Sequence, residues 1–228
     1  MALPAILTES NEEEAARLLA AYYRRTADGL PAYTGSYFNS WAGGGDSAEN
    51  RDTITADDLI AVSFLSVKIP GDAAIGFLDT HKDNISGLLK EIPWDRNLVD
   101  VSSAEFPQVL GEDSAAMQLW DVLRARDTGR WGIGRTKASK IMARKRPHLI
   151  PIYDSVVAPL MGLKKSDNQW ITWHGAFMAD AGLSQRMRKI RDNSGIEDPI
   201  SDLRVMDIVL WMHGKQRTKP ALRGTASK

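Results

Sequence analysis

The chain has 228 residues, 43% of them apolar and 25% charged, with no cysteine and a formal net charge of zero. That length supports one large domain or two small ones with a shared interface, and the balance is that of a globular chain rather than a disordered one. The lack of cysteine excludes disulfides, a thiol nucleophile and a cysteine-bound iron–sulfur cluster; with no apolar run near the roughly 18 residues of a membrane span and no basic-then-apolar leader, a cytoplasmic protein without a membrane partner is expected.

In chain order the elements read as helices. Ser10 with Glu13 three residues on is a capping-box pattern, and Ala15, Leu18, Leu19 and Tyr22 then recur at helical spacing up to Gly29. The next stretch, PAYTGSYFNSWAGGGDSAENRD, sets Tyr33, Tyr37, Phe38 and Trp41 among glycines and polar residues. A loop of this length either packs its rings on the core or lines a binding surface. Thr55 with Asp58 repeats the start signal before LIAVSFLSV, a near-continuous apolar run read as a buried helix that Pro70 stops.

Further helices are expected over 73–79, 85–91 and 114–126, the last with Met117, Trp120 and Leu123 on its apolar stripe. Beyond a glycine turn, 135–145 reads as a helix. Residues 148–153 read as a short β-like link, since Pro151 holds Ile150 extended, and 154–161 as a short helix with Asp154 at its N-cap. Helices at 169–180, 184–191 and 201–213 follow, with Leu203, Met206, Val209 and Leu210 on one face of the last. Residues 214–228 hold five basic and no acidic residues and are expected to form a disordered basic tail. No alternating strand series competes, so the expected class is all-α, a helical bundle, with residues 1–213 as one domain.

Zero net charge hides a division. Residues 1–120 hold 19 acidic and 8 basic residues, and the remainder 10 and 21. The domain therefore splits into an acidic helical part (1–115) and a basic part (116–213). Such asymmetry fits either a basic face that neutralises the phosphates of a polyanion or two halves that attract each other. His81, His148, His174 and His213 show no H-x-x-x-H or H-E-x-x-H spacing, so no metal site is expected.

The chemistry concentrates in WGIGRTKASKIMARKRPHLIPIYDSVV, from Trp131 to Val157. Gly132 and Gly134 allow a tight turn, Ile133 between them can anchor it in the core, and the free amides of the following helix start favour an anion. Lys137, Lys140 and Arg144 follow at spacings of three and four and share one helix face. The spacing fits neither a Walker A loop nor a dinucleotide-binding fingerprint, which needs a third glycine and an upstream strand.

GIGRTKA followed by the aspartate of D-S-V-V resembles the helix-hairpin-helix DNA glycosylase superfamily, which includes endonuclease III and the adenine-specific mismatch glycosylase. There a hairpin of the pattern L-P-G-x-G-x-x-x-A precedes a hydrophobic link and an aspartate at the next helix start, 22 residues after the first glycine; Gly132 to Asp154 is also 22. Trp131 stands at the pattern's proline, and Ala158 and Pro159 stand where many members carry an arginine.

The resemblance implies two helical subdomains with a helix-hairpin-helix motif and double-stranded DNA as partner. It assigns phosphate contact to Gly132, Ile133, Gly134, Arg135, Thr136, Lys137, Lys140 and Arg144. Asp154 would be the catalytic residue of a monofunctional base-excision hydrolase acting on a modified or mismatched base. Tyr37, Phe38, Trp41 and Tyr153 are candidates for the base pocket by residue type. Thr136 stands where lyase members carry a Schiff-base lysine, so no lyase step is implied. No cofactor is expected except a monovalent cation that the resemblance implies at the hairpin. Two other classes stay open: a non-catalytic helix-hairpin-helix DNA-binding module, and a helical protein-interaction domain. Asp79-Thr80-His81 imitates a family string, but no hairpin precedes it.

Overall fold

The computed structural model describes residues 3–125 and 131–218, and among these it is all-helical, with one isolated bridge between Arg25 and Pro31. The α-helices are α1 (Glu12–Tyr23), α2 (Ala56–Ser63), α3 (Gly71–Ile75), α4 (Lys82–Glu91), α5 (Phe106–Leu110), α6 (Ala115–Arg124), α7 (Arg135–Lys145), α8 (Val157–Leu160), α9 (Gln169–Ala179), α10 (Leu183–Ser194) and α11 (Asp202–Thr218). Among the described residues no helix is long and apolar enough to cross a membrane.

Packing follows the apolar stripes. α1 lies against α10 and α11, α8 against α11, and α6 against both α4 and α7, while α2 covers α7. A single buried cluster runs through these contacts from Ile6 to Met212. α7 is its axis, for every residue from Ala138 to Lys145 is buried. A helix enclosed on all sides must satisfy its polar side chains internally, and that decides where its cations go.

Two start signals fared differently. The Thr55–Asp58 capping box forms in full, with the Thr55 hydroxyl accepting from the Asp58 amide and the Asp58 carboxylate accepting from the Thr55 amide at 2.9 Å. The Ser10–Glu13 box does not form: α1 starts at Glu12 behind two short 3-10 turns, and Asn11 donates from its side chain to the Ala5 carbonyl instead. Ser114 caps α6 by accepting from the Met117 amide. The expected last residue of that helix, Arg126, lies outside the described residues.

Three boundaries are corrected. α2 ends at Ser63, well before Pro70, because the chain turns through Phe64 and Leu65 into Ser66, whose φ is +60°. The link 148–153 is no strand, although its backbone is held by Tyr153 N–H donating to the Ser139 hydroxyl and by Gln169 donating to the Pro151 carbonyl. The expected tail continues α11 to Thr218, since Gly214 lies buried against Val156 and Leu160; residues 219–228 lie outside the described ones.

Gly132 adopts φ +61°, a left-handed conformation that costs a residue with a Cβ roughly 1–2 kcal/mol. A Cβ there would also meet Pro70 Cγ at 3.3 Å. Gly132→Ala is therefore expected to lower the melting temperature by about 5 °C, read by thermal unfolding; an unchanged midpoint would mean that the turn relaxes without cost.

Candidate functional site

The turn is anchored as its residues suggest. Ile133 is buried, Trp131 packs edge-on against Phe77 and His81, and Gly134 stands at the N-cap of α7 with no side-chain cap. His81 brings the Asp79-Thr80-His81 string beside the turn in space, where it packs against Trp131. Gly134 and Arg135 are exposed at this helix start. Lys137 reaches back to donate to the Gly132 carbonyl at 2.9 Å. An ammonium group thus already occupies that carbonyl, which makes the described turn residues a poor fit for a bound monovalent cation.

The basic stripe beyond it faces inward, which corrects the assignment of Lys140 and Arg144 to phosphate contact. Arg144 is buried and donates to Asp58 Oδ1 at 3.1 Å and to the carbonyls of Phe38, Asn39 and Trp41. Lys145 donates to Asp58 Oδ2 at 2.9 Å and to the Asn50 carbonyl at 2.7 Å, and Arg146 pairs with Asp52 at 2.7 Å. Arg186 and Lys189 likewise reach Glu9 and Glu12. Much of the division of charge between the halves is therefore spent within the chain. Arg144, Lys145 and Arg146 staple the aromatic loop to α7, so loss of Arg144 or Lys145 would deprive the buried Asp58 of a partner.

The loop's rings follow suit. Tyr37 accepts from Arg25 at 2.8 Å, Phe38 lies under the Arg204 guanidinium, and Trp41 donates to Asp57 at 3.1 Å. Tyr153 lies under Arg135. None of these four lines the cleft that Asp154 borders, so the expected base pocket does not assemble from them there.

That cleft has a volume of about 520 Å³ and opens between the α1–α11 pair and the start of α7 with the link that follows it. Its aromatic wall is Tyr22, Tyr33, Phe64 and Trp211. Tyr22 and Tyr33 stack at 5.3 Å, with Trp211 edge-on to both. Thr136, two residues past Gly134, joins the lining and connects the cleft to the turn.

Asp154 lies on the same lining. It does not cap a regular helix as expected: α8 begins at Val157, and Asp154 Oδ1 instead accepts from the Val156 amide at 2.9 Å in a tight turn. Lys140 Nζ lies 3.5 Å from Asp154 Oδ2 and donates to the Leu65 carbonyl at 3.0 Å. Burial pushes the Lys140 ammonium below its ordinary pKa, and Asp154 opposes the shift. Ser66, next to that carbonyl, keeps its positive φ at the cleft wall, where backbone strain commonly accompanies a binding site.

Arg204 and Asp207 complete the lining and were missed in the sequence, where only the apolar positions of α11 were read. Arg204 pairs with Asp207 at 2.5 Å and donates to the Tyr22 hydroxyl at 3.1 Å, the Gly35 carbonyl at 3.0 Å and Asn39 Oδ1 at 3.1 Å. Burial pushes the Asp207 carboxyl up to about 6, Arg204 opposes and Asp154 adds to the rise. Because the folded value lies above the ordinary 3.8, this group favours folding on the acid side, and its contribution is lost as pH rises from about 4 to about 6. The available signal was R-x-x-D inside an apolar helix: two charges one turn apart on a buried face must pair.

The fold and cleft define a class: an all-helical protein with a carboxylate, an amine and a buried ion pair facing an aromatic wall. Residues 15–214 match a family of unknown function, DUF6308, and the chain belongs to it. Neither curated proteins nor solved structures gave a match.

Proposed function

We propose that the protein is a monofunctional DNA glycosylase of the helix-hairpin-helix type, hydrolysing the N-glycosidic bond of a modified or mismatched base in double-stranded DNA. The observation that carries this reading is the position of Asp154 on a cleft of about 520 Å³ with aromatic walls, joined through Thr136 to the glycine turn. A flipped nucleobase is flat and fits such a space. The α6–turn–α7 segment serves as the hairpin, and the elements on either side of the cleft serve as the two subdomains.

In this reading the exposed amides at Gly134 and Arg135, with the Arg135 guanidinium, grip a backbone phosphate. Water adds to C1′ as the C1′–N bond breaks; Asp154 accepts a proton from that water and its negative charge favours the cationic sugar, while the base leaves into the cleft. Lys140 acts as a positioning residue, holding Asp154 Oδ2. No step runs through a metal ion.

One observation favours a helical interaction domain without nucleic acid: Arg144, Lys145 and Arg146 of the basic half are buried against Asp58 and Asp52 rather than open to a polyanion. Duplex binding separates the two. The glycosylase reading expects affinity that falls steeply with salt, with Arg135→Ala weakening it several-fold and reducing the salt slope by about 1. Absent or salt-insensitive binding would favour the interaction domain.

A further inference from the structure

Asp207, on the cleft lining, carries an acceptor that the described residues leave unused. Asp207 is buried, and its Oδ2 accepts from Arg204 at 2.5 Å. Its other oxygen, Oδ1, has no hydrogen-bond partner among the described residues, yet it is not among their sealed unpaired atoms. It therefore retains contact with open space. Asp207 lines both the cleft and a void of about 10 Å³ beside Phe38, and of these only the cleft has room for more than a single water.

Arg204 cannot take over that role, because Asp207, Tyr22, Gly35 and Asn39 occupy most of its donors. Lys140 is likewise committed to Leu65 and Asp154. A flat ring against the Tyr22, Tyr33 and Trp211 wall would thus meet a carboxylate oxygen seeking a donor. Leaving it unmatched in a desolvated cleft is unfavourable, so the site discriminates by what the ring edge offers.

We infer that Asp207 is a specificity-determining residue, and that the cleft takes a planar nitrogen heterocycle presenting an amino or ring N–H donor to Asp207 Oδ1. This deepens the glycosylase reading and rests on it. Protonation would turn the acceptor into a donor, so the preference depends on pH. The charged and titratable groups that act on Asp207 are Arg204 of α11, Tyr22 of α1, Lys140 of α7 and Asp154 ahead of α8, and Lys215 of α11 shares the cleft lining. Burial raises the Asp207 carboxyl to about 6, which places its change of charge within the range the experiment spans.

Two matched pairs of free compounds test this by ligand-observed NMR: 9-methyladenine against 9-methylpurine, and 1-methylcytosine against 1-methylpyrimidin-2-one. Within each pair the exocyclic amino group is the difference. At pH 8 the amino member of at least one pair is expected to bind about tenfold more tightly, and that preference is expected to vanish below pH 5. In Asp207→Asn the amide oxygen stays with Arg204 and the NH₂ turns to the ligand, so the preference reverses. Should that variant not fold, the wild-type pH profile decides alone. Equal binding within both pairs at every pH overturns the inference while leaving the base cleft intact. No binding by any of the four compounds overturns the base cleft and the inference together.

Discussion

Asp58→Ala is expected to cost about 3–5 kcal/mol and to lower the melting temperature by about 10 °C or more. Asp58 is 1% exposed and serves three partners at once: Arg144, Lys145 and the start of α2. Its removal takes the counterion from two buried cations and breaks the half of the capping box that its carboxylate supplies. Typical domain stabilities are about 5–15 kcal/mol, so much of the margin would go. Arg144 also holds the carbonyls of Phe38, Asn39 and Trp41, so the aromatic loop should loosen with it. Thermal melting and near-UV circular dichroism read both effects. A variant that melts like wild type would mean that the network relaxes and that α7 is not the staple described above.

Asp154→Asn is expected to reduce base release by about a thousandfold while duplex affinity stays within about twofold. The split follows from position. Asp154 lines the cleft, whereas the exposed helix start that would grip phosphate lies at Gly134 and Arg135. Asparagine keeps an oxygen to accept from Val156 N–H, so the turn survives, but it neither takes a proton nor carries negative charge. Single-turnover kinetics on a duplex substrate, beside equilibrium binding, separate the two effects. Equal losses in binding and turnover would make Asp154 a structural turn residue.

Helices were legible wherever local signals agreed with packing. Thr55–Asp58 and Ser114 each cap the helix that their spacing announces. Ser10–Glu13 shows the same spacing and fails, because preceding 3-10 turns carry the chain in from another direction and Asn11 bonds back to Ala5. α2 stops short of its apolar run where the chain turns into Ser66 at φ +60°, and Phe64 to Val67 line the cleft instead. Tertiary demands overrode local preference at both places.

The site was legible as chemistry and misread as geometry. Gly132, Ile133 and Gly134 form the expected turn, whereas Asp154 sits in a tight turn rather than at a helix cap, and the spacing of Lys140 and Arg144 could not tell an outer face from an enclosed helix. The contrast between an acidic first half and a basic second half held the clue, since opposite halves of one chain pair more readily than they await a partner. Tyr22 was read on the apolar stripe of the first helix and is buried in the core, and Trp211, partly buried against that core, went unread; the cleft is walled by the core's own edge.

Asp154 is proposed to cleave a base from DNA in this cleft. The most direct test of that claim is a panel of duplexes, each with one modified or mismatched base, incubated with the wild-type chain and with Asp154→Asn, with alkali-labile abasic sites counted by strand scission. The claim predicts scission on at least one duplex with wild type and essentially none with the variant. Scission that persists in the variant, or a panel left uncut by a wild-type chain that binds the same duplexes, would contradict it.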